Sequence, residues 1–165
     1  MILNSYSQFL DKLFIKIKNS GINVNNFELD HIAYRPSSSE LYEQKKLDLN
    51  NYGEMISEIE ESGRKISIFK LTNPLIFNNF SIQYFELMGP KELNKYKDGY
   101  QHIEFVIDST LEIFITKYSN LTFNTAHIDG KINPSIELEF DDKTSVEFHL
   151  KNIGEVVKLQ KQNIS

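Results

Sequence analysis

The chain has 165 residues, no cysteine and a formal net charge of −5. A chain of this length can fold as one domain that buries roughly 70% of the surface exposed by its unfolded form. Without cysteine it has no disulfide, thiolate metal site or thiol nucleophile. Its lysines are scattered among a larger number of acidic residues, so we expect no nucleic-acid partner.

The N-terminal segment predicts an amphipathic helix over residues 5–20. Its apolar residues recur at three- and four-residue spacing: Phe9, Leu10, Leu13, Phe14 and Ile17. Ser5 followed by Gln8 resembles a capping box, and Gly21 is placed to end the helix. Lysines interrupt this segment, so we expect no signal peptide. No apolar run approaches the roughly 20 residues of a membrane span, and we therefore expect a cytoplasmic protein without a membrane partner.

The rest of the chain shows the order strand, helix and three strands twice. The first unit comprises a strand over 29–35, a helix over 37–49 and strands over 53–61, 64–71 and 80–88. The second comprises a strand over 100–107, a helix over 109–119 and strands near 121–126, 135–140 and 145–150, followed by a helix near 153–160. The loop 89–99 joins the two units. This repeated βαβββ order predicts an α+β fold.

Each unit begins with a strand that carries a histidine, in "LDHIAYR" and "YQHIEFVI". Period-two alternation predicts two faces for the first strand, with Leu29, His31, Ala33 and Arg35 on one and Asp30, Ile32 and Tyr34 on the other. Ile32 and Ile103 each follow a histidine, and we expect them to pack under the helices. His31 and His102 then face the other side of the sheet.

The last strand of each unit carries a carboxylate, Glu86 in the first and Glu147 in the second. If the units pair side by side into a curved sheet, both carboxylates and both histidines converge in its concavity. Two carboxylates about 5 Å apart repel by roughly 3 kcal/mol at an effective dielectric of 20. Two imidazoles and two carboxylates neutralise a divalent ion and suit Zn, Fe, Mn, Ni or Co. A core histidine paired with a neighbour, or a glutamate facing water, is the simpler interpretation of each residue alone.

The chain resembles the vicinal oxygen chelate (VOC) superfamily and, within it, the YecM-like proteins. The matching segments are "LDHIAYR", "GRKISIFKLTNPLIF", "FELMGPKE", "GYQHIEFVI" and "EFHLKNIGEVV". The resemblance implies a single domain over 1–165 in which paired βαβββ modules form a curved mixed sheet around a cavity. The N-terminal helix lies in 1–27, the first module in 28–90, and the second module with the C-terminal helix in 91–165.

The resemblance also implies a metal at the cavity floor. By motif, His31, Glu86 and His102 match ligand positions, and Glu147, His149 or water supplies the fourth ligand. We expect Glu104, which shares the face of His102, to orient an imidazole. Arg35 is interpreted either as a site for an anionic substrate group or as part of a salt bridge at the rim.

The leading functional hypothesis is a small metal-dependent enzyme of the isomerase, lyase or oxygenase type. It would act on a small oxygen-rich metabolite chelated to the ion, with Glu86 or Glu147 as general base. The small size of the chain predicts a modest pocket, which weighs against oxygenation. The alternatives are a metal-free protein that sequesters a small ligand within aromatic walls, and a structural or regulatory protein with a vestigial site. Either a monomer or a homodimer is expected.

Overall fold

A computed structural model describes residues 2–91 and 97–163 of the chain. Its helices are a short 3-10 turn Ile2–Ser5, α1 Tyr6–Asn19, α2 Ser39–Leu49, α3 Leu111–Lys117 and α4 Ile153–Asn163. Its strands are β1 Glu28–Arg35, β2 Gly53–Glu61, β3 Arg64–Phe77, β4 Phe80–Met88, β5 Gly99–Val106, β6 Ser135–Glu139 and β7 Ser145–His149. In the predicted loop 89–99, positions 92–96 lie outside the described residues.

The strands form one curved sheet in the order β2-β3-β4-β1-β5-β7-β6. The sheet is mixed, because β1 pairs with β4 in parallel and with β5 antiparallel, and β5 pairs with β7 in parallel. The predicted α+β class and curved mixed sheet are therefore confirmed. The first strands of the two predicted modules lie side by side at the centre, and each is flanked by the last strand of its own module.

The second half of the sheet is shorter than the sequence predicts. The prediction of a strand near 121–126 is wrong, because within the described residues this segment contributes one isolated β-bridge, between Asn124 and Glu137. The chain then enters a turn in which Gly130 N–H donates to His127 O at 3.1 Å. This polar, turn-rich stretch continues to Pro134, so no further ladder forms before β6.

Helix ends follow local chemistry, with one correction. Ser38 accepts a hydrogen bond from Leu41 N–H at 3.2 Å and so caps the start of α2. The capping box predicted for Ser5 and Gln8 is wrong, because Ser5 ends the 3-10 turn and its side chain makes no capping hydrogen bond. Gly21 does end α1 as predicted, with φ at +85° and its N–H donating to Lys18 O.

One face of the sheet packs against helices α1, α2 and α3. Its core includes Leu13 of α1, Leu49 of α2 and Phe114 of α3, all at least 98% buried. Ile32 and Ile103 are fully buried in the same core, which confirms that the residues after the two histidines face the helices. We call this face the helix face. Burial of apolar side chains here stabilises the fold.

The opposite face is curved and holds a cavity, and we call it the cavity face. Part of it is covered by α4, since Val157 packs with Ile66 and Ile68 of β3 in a small cluster separate from the main core. Among the described helices none has the length and apolar character needed to cross a membrane.

Candidate metal centre

The candidate centre lies where β4, β1 and β5 run side by side on the cavity face. The register places Ala33 between Glu86 on β4 and His102 on β5. Ala33 is fully buried and its side chain is a single methyl group, so its two neighbours meet above it. Glu86 Oε2 lies 3.2 Å from His102 Nε2.

The adjacent row of the sheet supplies the remaining groups. His31 on β1 is opposite Glu104 on β5, and Glu104 is in turn opposite Glu147 on β7. Glu104 Oε1 lies 3.3 Å from His31 Nε2 and also 3.3 Å from His102 Nε2. A single carboxylate oxygen therefore stands between the two imidazoles.

Ligand atoms from His31, Glu86, His102 and Glu104 all lie within 4.8 Å of one another. Metal–ligand bonds of about 2.0–2.2 Å require the donors of one ion to be separated by roughly 3–4 Å. The side chains are 2–13% exposed, so the group is shielded from bulk water. Its composition and spacing fit a divalent ion held by two nitrogens and two oxygens.

Three of these donor atoms are buried without a hydrogen-bond partner in the described part of the chain: His31 Nε2, Glu86 Oε2 and His102 Nε2. His31 Nε2 lies 3.3 Å from Glu104, and His102 Nε2 lies 3.2–3.3 Å from Glu86 and Glu104, which makes ion pairs when the imidazoles are charged, but the geometry does not meet that of a hydrogen bond. A buried polar atom without a partner costs about 1–3 kcal/mol. A metal ion would satisfy all three at once, and the residues present therefore fit the metal that the fold family implies.

The carboxylates control the protonation of the metal-free cluster. Burial alone would lower the pKa of His102, but the carboxylates of Glu104 and Glu86 raise that pKa to about 10. The pKa of His31 is also raised, because Glu104 and Asp30 outweigh its burial. Conversely, the charged imidazoles hold the pKa of Glu104 well below its usual range despite burial. Protons and metal ions thus compete for the same sites.

Asp30 supports His31 from behind. His31 Nδ1–H donates to Asp30 Oδ2 at 3.1 Å, which leaves Nε2 as the atom that faces the cluster. The same carboxylate oxygen accepts from the N–H of Ile153, at the start of α4, at 2.9 Å. A carboxylate behind a ligating imidazole fixes its tautomer and orientation. Asp30 therefore links the candidate centre to the C-terminal helix.

A β-bulge explains why simple alternation misplaced two residues of β1. The register runs from Leu29 opposite Phe105 directly to His31 opposite Glu104 and skips Asp30. Leu29, predicted on the face of His31, is instead buried in the helix-face core. Asp30, predicted on the helix face, contacts His31 instead. An acid adjacent to a histidine was the available signal, but the bulge that orients it is not readable from residue spacing.

The two candidates for the fourth ligand lie outside the four-residue group. Glu147 lines the cavity on β7, one strand beyond Glu104. Burial, followed by the charge of Glu104, raises the pKa of Glu147 to about 8. His149 Nδ1 accepts from Asn133 at 2.6 Å, and its Nε2 lies 3.3 Å from Asp30 Oδ2. Glu104, which we expect from the sequence to orient an imidazole, also offers a ligand atom within the four-residue group.

The cavity above the cluster has a volume of about 1180 Å³. The prediction of a modest pocket is therefore wrong, since ligand sites commonly measure about 300–1000 Å³. The sheet is long enough to curve around a large space even in a short chain. Among the described lining residues, Tyr100 is the one aromatic side chain besides imidazoles. The phenylalanines of the strands lie mainly in the helix-face core.

Comparison with known proteins gives a family model and several relatives. The model of the family described as "YecM protein" matches residues 1–164. An uncharacterized protein of Haemophilus influenzae is 28% identical over 142 residues, which cover 77% of this chain and 74% of the relative. Protein YecM of Escherichia coli is 25% identical over 171 aligned positions, which cover 94% of this chain and 90% of the relative.

Two solved structures show a similar fold. A structural-genomics protein described as "Protein EC4020" superposes with a TM-score of 0.81 and 26% identity, over 95% of this chain and 90% of the other. The second structure is a methylmalonyl-CoA epimerase of Streptomyces coelicolor, an E43L variant in complex with 2-nitronate-propionyl-CoA. It superposes with a TM-score of 0.54 and 13% identity, over 75% of this chain and 94% of the other. At that identity the second likeness shows the fold alone.

Proposed function

Since the chain belongs to the YecM protein family and has the VOC fold, we propose that it is a metal-dependent enzyme of the isomerase or lyase type. Its substrate is a small oxygen-rich metabolite that chelates a divalent ion, either Zn, Fe, Mn, Ni or Co, at the floor of the cavity. His31, Glu86, His102 and Glu104 hold the ion.

One observation carries this proposal. The buried donor atoms His31 Nε2, Glu86 Oε2 and His102 Nε2 have no hydrogen-bond partner among the described residues, yet they converge with Glu104 within 4.8 Å. Burying such atoms is unfavourable unless something pairs with them. Their chemistry, two imidazole nitrogens and two carboxylates, balances the charge of a divalent cation.

The ion, when bound, polarises a substrate carbonyl and stabilises the negative charge that develops when an adjacent proton leaves. We assign the removal of that proton to Glu147. Its carboxylate lines the cavity beside Glu104 but stands outside the ligand group, so it remains available to exchange a proton. Glu86, the other candidate base, is assigned to metal binding because its Oε2 lies among the ligand atoms.

The ligand set favours proton transfer over oxygenation. Non-haem iron oxygenases typically use two histidines and one carboxylate with several open positions, whereas four protein ligands leave fewer. The metal-free sequestering alternative predicts aromatic walls, and the described part of the cavity wall has one aromatic ring besides imidazoles. A polar floor with buried donors supports the enzyme instead.

Proton exchange with solvent tests the proposal. The protein reconstituted with each candidate metal is incubated in D₂O with a panel of α-hydroxy-carbonyl compounds, and loss of the α-proton signal is followed by NMR. We expect exchange with at least one compound, abolished by chelation. Glu147→Gln should lose exchange while keeping its metal.

Glu137→Gln is the matched control, because Glu137 lines the same cavity one strand further away. It should exchange as the wild type does. Exchange that survives chelation would contradict the metal's role, and exchange that survives in Glu147→Gln would contradict the assignment of the base. A wild-type protein that holds metal but exchanges none of the panel would count against proton transfer.

A further inference from the structure

We infer that the substrate carries, beyond its metal-chelating oxygens, a second anionic group, and that this group binds at a basic end of the cavity formed by Arg35, Arg64, Lys91 and Lys97. The inference rests on the proposed function for the position of the chelating end. It adds a chemical class, namely a short aliphatic acid with a terminal carboxylate or phosphate.

Arg64 presents a buried guanidinium nitrogen at the basic end of the cavity. It begins β3 and lines the cavity, on the face that it shares by alternation with Ile66 and Ile68. Its Nε is buried without a hydrogen-bond partner in the described part of the chain. Glu61 is its cross-strand neighbour, but the described ion pairs include none between them. A buried guanidinium nitrogen without an acceptor is unfavourable, and a bidentate oxyanion is the group that it fits.

The register fixes how far this end is from the candidate centre. Arg35 lies two residues along β1 from Ala33, or about 7 Å, and on the same face. Arg64 lies four residues along β3 from Ile68, which is opposite Glu86, or about 13 Å. Both displacements run in the same direction. A ligand held at both ends is therefore several ångströms long.

The two loop lysines lie at this same end. Lys91 follows β4, and Lys97 precedes β5, which is antiparallel to β1. Both line the cavity. Of the described cavity residues here, four are cationic, against the single carboxylate of Glu61. This excess of positive charge attracts an anion and concentrates it near the site.

The far wall of the cavity has no such excess of positive charge. Four acidic residues line it on and beside β6 and β7: Glu137, Glu139, Asp142 and Glu147. Lys131 and Lys143 also line this wall, and Glu139 and Asp142 form ion pairs with Lys143 and Lys16. An anionic group is therefore attracted more strongly to the basic end, which orients an acidic substrate in the cavity.

Between the metal cluster and the basic end the lining is aliphatic. Ile66, Ile68 and Met88 line this stretch, and the register places Ile66 opposite Met88 and Ile68 opposite Glu86. Tyr100 is the one aromatic residue besides imidazoles in the described lining here, but its ring stacks on Phe9 of α1 and its hydroxyl donates to Ile2 O, so it is not available to stack a base or a catechol. A ligand with a short hydrocarbon chain between two oxygen-rich ends therefore complements the metal cluster, the aliphatic stretch and the basic end in turn.

Matched probes test the inference on Co(II)-loaded protein, whose visible spectrum reports changes in the metal's ligands. The first pair is 2-oxoglutarate and 2-oxopentanoate, which share a chelating 2-oxo acid and differ by a distal carboxylate. The second is 3-phosphoglycerate and glycerate, which differ by a distal phosphate. We expect at least tenfold tighter binding of the distal acid in one pair, and the preferred pair identifies the anion.

Arg64→Gln should reduce that ratio to about one while leaving the affinity for the monoacid unchanged. Lys143→Gln, a cation of the opposite wall, should leave the ratio unchanged. Equal binding within both pairs by the wild type, or a ratio that persists in Arg64→Gln, would overturn the basic end as an anion site.

Failure of the proposed function gives a different result. Calorimetric titration repeats the measurement on the metal-free protein. If the distal-acid preference there equals that of the Co(II) protein, and is still lost in Arg64→Gln, the anion site stands and the metal function falls. If both compounds of each pair bind equally and only in the presence of Co(II), the metal function stands and the anion site falls.

Discussion

The two faces of the sheet are built from the same strands but have opposite chemistry. On the helix face, β1 contributes Ile32, which is fully buried against apolar neighbours. On the cavity face, the preceding residue is His31, equally buried but with its Nε2 lacking a hydrogen-bond partner in the described part of the chain. Burial stabilises the first residue, whereas for the second it is a cost that the neighbouring carboxylates or a bound ion must offset.

This difference separates stability from function along single strands. In β5, Phe105 belongs to the helix-face core, and Glu104 belongs to the cluster. Substitutions on one face should therefore change the free energy of unfolding, and those on the other should change metal binding.

Phe148→Ala should lower the free energy of unfolding by about 3–5 kcal/mol, because it removes a fully buried ring that contacts Phe105 and Phe114. Metal content per folded molecule should not change. Denaturant unfolding measures the loss, and Ile113→Ala is the control, since Ile113 is 60% exposed and should cost less than about 0.5 kcal/mol. Similar losses in the two variants would contradict the assignment of the core.

Glu104→Gln and Glu147→Gln should separate ligand from base. Loss of a ligand carboxylate should weaken metal binding by about 100-fold or more, beyond the range of roughly 10–100-fold for residues behind the ligands. Glu147→Gln should change affinity by less than about tenfold. Competition with a chelator measures both. The reverse order would place Glu147, and not Glu104, on the metal.

Asp30→Asn should weaken metal binding by about 10–100-fold, because the amide no longer holds the tautomer of His31 with a charged acceptor. Asn152→Ala separates this effect from a disturbance of α4. Asn152 accepts from Gly154 N–H at 2.8 Å and so caps the helix without touching His31. Equal losses of affinity in the two variants would mean that Asp30 acts only by positioning α4.

Metal affinity should rise with pH. The carboxylates beside His102 raise its pKa to about 10, so below that pH the imidazole must release a proton before it binds an ion. Each unit of pH between 7 and 9 should therefore raise the apparent affinity by up to about tenfold for one proton released. Calorimetry in buffers of different ionisation enthalpy counts the protons. Affinity independent of pH would show that His102 is not a ligand.

The sequence predicts the helix face more fully than the cavity face. Apolar periodicity locates α1 and the strands, because burial of one face leaves a period in the sequence. The same alternation brings His31, Glu86 and His102 together. It misplaces Asp30 and Leu29, because a bulge shifts the period by one residue, and spacing carries no signal for it.

The fourth position of the cluster shows a second limit. Sequence symmetry between the units favours Glu147, in the strand that corresponds to that of Glu86. The structure places Glu104 nearer, because β5 lies directly beside β1 whereas β7 lies one strand further away. Which of two residues on one face reaches a common point depends on strand neighbours and side-chain direction, and neither is contained in the order of elements.

The most direct measurement is the metal content of untagged protein purified without chelator and reloaded with each candidate ion. We expect close to one divalent ion per chain in the wild type, and loss of that ion in His31→Ala and His102→Ala while circular dichroism shows the fold intact. His127→Ala, which removes an exposed histidine outside the cluster, should retain the ion. A wild type that stays empty after reloading, or binding that is lost equally in His127→Ala, would contradict the metal centre.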